Sequence, residues 1–184
     1  MNYSMIFFII GWVFLIEAAL MAPSALVALL YAEQSIWAFA AAIGLCLLLG
    51  VPLVRRQPAN KVFYAKEGCV TVALSWIVMS LMGALPFVFS GVIPSIVDAM
   101  FETVSGFTTT GASILKDVEV LPHCMLMWRS FTHWLGGMGV LVFLLAIIPL
   151  GGGSRINLMR AESPGPSVGK LVPKVKHTAQ ILYI

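Results

Sequence analysis

Charge is what this sequence has least of. Asp, Glu, Lys and Arg make up 10% of its 184 residues, against 60% hydrophobic residues and a mean hydropathy of +0.97. A water-soluble domain of that length needs far more polar side chains to cover its surface, so a soluble fold is excluded. Cysteine is scarce too. Cys46, Cys69 and Cys124 show no CxxC or Cys/His spacing, which argues against a structural zinc or dithiol redox site and leaves them as small hydrophobes. No Gly-Lys-Ser/Thr completes Trp134-Leu135-Gly136-Gly137-Met138-Gly139 or Gly151-Gly152-Gly153-Ser154, so neither is a phosphate loop. The first reads as a small-residue helix surface for close packing on another helix, and the second as a helix stop and hinge. His123, His133 and His177 form no ligand set, and no Ser/His, Asp/Asp or His/Glu pair suggests an enzyme. The N-terminus lacks a basic segment ahead of its apolar run, and that run is too long for a signal peptide. It is read as a retained first helix.

What remains is grease in long pieces. Apolar stretches of about the 20 residues that span a bilayer run over residues 5–30, 35–54, 68–89 and 124–150. The four residues Tyr31-Ala32-Glu33-Gln34 allow only a tight helical hairpin between the first two. The fold class is therefore all-α integral membrane, with residues 1–56 as an N-terminal helix pair, 67–150 as a second unit and 151–184 as a cytoplasmic linker. Glu17, in the middle of the first stretch, is expected to hydrogen-bond a neighbouring helix in preference to acting as an ion relay.

Basic residues set the orientation. Arg55, Arg56, Lys61 and Lys66 follow the second stretch, and Arg155, Arg160, Lys170, Lys174 and Lys176 follow the fourth: nine of the 11 Lys and Arg. If each stretch crosses once, both groups lie on one side, which the positive-inside rule makes the cytoplasm, together with the N-terminus. Glu33, Asp98, Asp117 and Glu119 then face outward.

The connection over residues 90–123 is too apolar for an exposed loop and too short to span. Pro94, Ser95 and Asp98 carry the Pro-Ser-x-x-Asp pattern of a capped helix start, predicting a short helix over 95–105 that enters the membrane from outside. After Gly106 come Thr108, Thr109, Thr110, Gly111 and Ala112. Irregular backbone survives at membrane depth only where it is buried in protein or lines a wet cavity. Thr favours extended backbone, Gly111 tolerates positive φ, and backbone carbonyls can replace the water shell of a potassium ion. Helix, re-entrant helix, irregular return, helix is the layout of a cation-channel pore unit. Glu102 on the short helix and Arg129 on the following one are expected either to brace the return from behind or to snorkel to water or headgroups.

DAMFETVSGFTTTGASIL, LPHCMLMWRSFTHWLGGMGVLVFLLAIIPLGGG and LMRAESPGPSVGKLVPKVKHTAQILYI resemble the bacterial Trk-type potassium-uptake membrane subunits (TrkH/TrkG type) of the Trk, Ktr and HKT cation transporters. The resemblance covers the whole chain and is most specific over 98–166. It implies a pore of four linked helix–pore-loop–helix repeats, of which this chain carries the first, preceded by the extra helix pair. It also implies potassium uptake across the bacterial inner membrane, with Thr109, Thr110 and Gly111 as the potassium-binding filter flanked by Thr108 and Ala112. A homodimer, a cytoplasmic nucleotide-binding regulatory ring (TrkA-like) and membrane lipids are the implied partners, with no nucleic acid. Potassium is cargo and no cofactor is implied. The resemblance further suggests that KHTAQILYI opens a second repeat and that the chain is an N-terminal fragment. Coupling to H⁺ or Na⁺ stays open, as do a self-contained homotetrameric channel subunit and a non-conducting membrane scaffold.

Overall fold

The computed structural model describes residues 2–58 and 65–137. Among the described residues every regular element is helical: α1 (Tyr3–Leu30), α2 (Ile36–Arg55), α3 (Ala65–Phe89), α4 (Ile96–Phe107) and α5 (His123–Gly136). Three of them, α1, α2 and α3 from Lys66, are long and apolar enough to cross a membrane. The expected fourth span is described only through Gly137, and the basic tail lies outside the described residues. Pro23, Pro52 and Pro86 sit inside α1, α2 and α3 without ending them. Each removes one backbone N–H, a loss that packed neighbouring helices make tolerable in an apolar setting.

Two tethers fix the relative directions of the helices. The Asn2 amide donates to Glu67 Oε1 at 2.8 Å, so α1 and α3 begin at the same end. At the other end Glu33, in the α1–α2 turn, accepts from the backbone amides of His123 and Cys124 at the start of α5. The hairpin is thus joined to the second unit at both ends. Within it, α1 and α2 approach closely: a Cβ on Gly50 would stand 3.0 Å from the Gly11 carbonyl oxygen. Helices in lipid gain little from hydrophobicity against one another, so such close packing and interhelical hydrogen bonds carry the association.

Trp128 organises the centre. It is fully buried, lies edge-on to Phe39 at 6.4 Å, and donates its indole N–H to the Gly83 carbonyl at 2.8 Å, so α2, α3 and α5 meet on one side chain. Glu17 departs from expectation. It is fully buried beside the Gly83 backbone, yet neither carboxylate oxygen makes a hydrogen bond among the described residues. The expected helix-to-helix hydrogen bond is not formed among the described residues.

Candidate ion-binding site

The site is built on α4. Ser95 is in extended backbone (φ −78°, ψ 121°) and its hydroxyl accepts from the Asp98 amide at 3.4 Å. Asp98 makes no return bond, so only half of the predicted capping box forms; its carboxylate still sits in the first turn, where the helix dipole favours it. The helix ends at Phe107, two residues later than the sequence pattern suggests. Its buried face carries Glu102, Thr103, Ser105, Gly106 and Phe107, while Val97, Phe101 and Val104 face outward. Polar-in and apolar-out is the arrangement of a helix set in a membrane protein.

The C-terminal turn of α4 is wedged between α3 and α5. A Cβ on Gly83 would stand 2.8 Å from Thr103 Cγ2; one on Gly106 would collide with the Thr132 side chain, and one on Gly136 with the Phe107 carbonyl. The predicted small-residue contact between the last helix and the short helix is present at Gly136. Gly83 lies six residues before the end of α3 at Phe89, which puts the tip of α4 roughly 9 Å inside that end.

From there the chain turns in a regular way. Thr108 has φ −86°, Thr109 φ +55° and Gly111 φ +77°, while Thr110 has no positive φ, so the sign alternates over four residues. Such alternation points successive peptide groups the same way, as opposed to the back-and-forth of a strand. Positive φ costs a β-branched residue about 1–3 kcal/mol, so Thr109 holds strain that its surroundings must sustain. Gly111 has open space around a would-be Cβ; its need is for the φ alone.

Hydrogen bonds fix where the carbonyls look. The Thr109 amide donates to the Gly106 carbonyl and the Thr110 amide to the Ser105 carbonyl, each at 2.9 Å. All peptides in the segment are trans, and in a trans peptide the N–H and C=O point in opposite directions. The Thr108 and Thr109 carbonyls are therefore aimed away from α4. The Ala112 carbonyl looks the other way, accepting from the Ser105 hydroxyl at 2.6 Å. Thr108 Oγ1 donates to the Val104 carbonyl at 2.7 Å and lies 2.8 Å from Thr110 Oγ1. All of Thr108, Thr109, Thr110, Gly111 and Ala112 are exposed.

Behind this arc sits one carboxylate. Glu102 is 1% exposed, and its Oε1 accepts from Arg129 Nε at 2.6 Å. The same carboxylate accepts from the Ser113 hydroxyl at 3.0 Å on both oxygens and from the Ile114 amide at 3.2 Å. It joins α4, α5 and the chain leaving the Thr/Gly arc. A buried charge with an ionic partner and several donors is satisfied, whereas either partner alone would not be.

The sequence singled out Glu102 and Arg129 without Ser105 and Ser113. Ser105 lies one turn after Glu102 on the same buried face, and that i, i+3 relation was the available signal. The sequence marks Glu33 only as an outward charge. The structure uses it to cap α5, with the His123 ring 3.0 Å away and stacked on Tyr31 at 4.2 Å. Burial alone would raise its carboxyl, but hydrogen bonds from Cys124 and His123 outweigh that and hold it below the usual range.

The family profile described as "TrkH: Cation transport protein" matches residues 35–184. The Trk system potassium uptake protein TrkH of Halomonas elongata is 36% identical over 100% of this chain and 39% of its own length. For TrkH of Escherichia coli the identity is 37%, with 100% of this chain and 39% of that protein covered. TrkG of Escherichia coli is 34% identical over 89% of this chain and 34% of its own length. The crystal structure of the potassium transporter TrkH from Vibrio parahaemolyticus superposes with a TM-score of 0.78 at 27% identity, covering 100% of this chain and 37% of that one. The chain thus spans about two fifths of the length of the curated TrkH relatives.

Proposed function

The chain belongs to the TrkH cation transport protein family, a family of transporters and not of enzymes, and from that premise we propose that its residues 95–137 form one wall of a potassium-selective path. The observation that carries this reading is the arc of alternating φ at Thr108–Gly111, hung on the C-terminal end of a short helix well inside the bundle. Backbone aimed away from its own helix, exposed, and set at that depth is sustainable only if it faces water or an ion. Outward carbonyls supply the hard oxygen ligands that a dehydrating potassium ion needs, and the negative end of α4 adds a modest attraction.

The ligands on this reading are Thr109, Thr110 and Gly111, with Thr108 beside them. One such arc is a fraction of a coordination shell, so the other oxygens come from equivalent arcs, as the resemblance to four-repeat transporters implies. Glu102 and Arg129 brace the arc: their ion pair fixes Ser113 and Ile114, the residues through which the chain leaves it. Arg55, Arg56 and Lys66 share one end of the bundle, which supports a cytoplasmic N-terminus in the bacterial inner membrane. The relatives' names make them components of a Trk system. A homodimer working with a nucleotide-binding regulatory ring is the assembly that the family resemblance implies for this chain.

The test is growth at low potassium. A strain lacking its own uptake systems is given the protein expressed from its native reading frame, with and without Gly111→Asp, and rubidium influx is measured alongside. The wild type should restore growth and influx, and the Asp form neither, at equal membrane abundance. Equal rescue by both forms would remove the arc from the transport path.

A further inference from the structure

Ser105 makes two contacts that the bracing pair does not. Its backbone carbonyl accepts the Thr110 amide at 2.9 Å, and its hydroxyl donates to the Ala112 carbonyl at 2.6 Å. One buried residue on α4 thus holds the arc just before Gly111 and just after it. Gly111, with φ +77° and nothing packed where a Cβ would be, has no steric contact of that kind to fix it; its neighbours on both sides must do so. The first contact turns the Thr109 carbonyl away from α4 through the trans peptide. The second turns the Ala112 carbonyl toward α4.

We propose that Ser105 is the positioning residue of the arc: its paired grip on Thr110 and Ala112 sets the spacing of the ion-facing carbonyls and ends the ligand row at Gly111. This rests on the proposed potassium path and narrows it. Ala112, which the resemblance counts among the filter residues, serves as the anchor and not as a ligand. Selection of potassium over the smaller sodium ion requires carbonyls held at a defined number and spacing. Loss of the hydroxyl releases one end of the arc while the backbone contact to Thr110 remains, so ions still pass and are distinguished less well.

The experiment compares Ser105→Ala and Ser105→Thr with wild type, expressed from the native reading frame and reconstituted in liposomes. The reading is the ratio of rubidium to sodium influx, which loss of folded protein does not change because both influxes fall together. Ser105→Ala should lower the ratio about three- to tenfold, the factor carried by one net hydrogen bond, and Ser105→Thr, which keeps the hydroxyl, should hold it near wild type. A wild-type ratio in Ser105→Ala overturns the proposal, and so does an equal fall in Ala and Thr forms, since the hydroxyl would then not be the cause. If Ser105→Ala fails to reach the membrane, Ser105→Cys, a weaker donor of similar size, is read in its place, with an unchanged ratio again overturning the proposal. Gly111→Asp runs in parallel: if it conducts like wild type, the potassium path itself fails, whereas a dead Gly111→Asp with an unaltered Ser105→Ala fails Ser105 alone.

Discussion

Arg129 Nε donates to Glu102 Oε1 at 2.6 Å, with Glu102 only 1% exposed and the Arg129 side chain 18% exposed. The pair closes a bridge from α5 through α4 to Ser113 and Ile114. Breaking such a pair from one side leaves a charge without a partner. We expect Glu102→Gln and Arg129→Met each to cost about 2–4 kcal/mol of stability, the lower part of that range for Gln because it keeps the Ser113 and Ile114 contacts. The double variant should lose less than the sum of the two. Thermal unfolding of the three variants in detergent, read as a double-mutant cycle, measures this; strict additivity would mean the two side chains are not coupled.

Thr109 and Gly111 share positive φ but differ in what they lose by it. Gly111→Ala places a Cβ in a disfavoured conformation with open space around it, so the penalty is conformational, about 1 kcal/mol. Thr109→Gly does the reverse: it relieves strain in the folded state but frees the unfolded chain, leaving stability within about 1 kcal/mol of wild type. Its cost should appear in function, as a lower rubidium-to-sodium influx ratio from a looser arc. A large fall in melting temperature with an intact ratio would show that the Thr109 side chain serves packing instead.

Much of this was legible in the chain itself, and the reasons are physical. Apolar length alone located α1, α2 and α3 to within a few residues, because a bilayer span leaves little choice of element. Pro94 and Ser95 announced α4, and the Thr/Gly composition of the return announced irregular backbone. Three things were not legible. The end of α4 at Phe107 goes with the close approach of Gly106 to Thr132 and of Gly136 to the Phe107 backbone, a tertiary fact. The role of Ser105 depends on which way the Ala112 carbonyl turns, and that of Ser113 on a carboxylate of α4 reached only after the chain has folded back; a serine by itself signals neither. The partner of Glu33 lies 90 residues away in sequence, where no local pattern reaches.

That distant contact has a pH signature. In the folded protein Glu33 is held below the usual carboxylate range: burial acts to raise it, and the donors from Cys124 and His123 prevail. A depressed folded-state value means the carboxylate stabilises the fold fully above its unfolded value of about 4.3, and that this contribution is lost as pH falls through the lower folded value. Melting temperature should therefore drop more steeply on acidification in wild type than in Glu33→Gln, and the two curves should converge at the acid end. Parallel curves across that window would show that the cap on α5 contributes nothing that titrates.

Glu17 is a cost that the fold carries. Both of its oxygens are buried without a hydrogen-bond partner among the described residues, and a Cβ built on Gly83 would come within 3.3 Å of Oε1. An apolar side chain of similar length removes the unsatisfied group without opening a cavity, and relief of one such group is worth about 1–3 kcal/mol. Glu17→Met should accordingly raise the melting temperature in detergent, while Glu17→Ala should gain less or lose because it leaves a void between α1 and α3. Rubidium influx separates structure from function here. If Glu17→Met is stabilised and transports like wild type, the carboxyl is dispensable. If it is stabilised and transport falls, the carboxyl is retained for transport at the expense of stability, and the expectation that Glu17 is no ion relay must be given up.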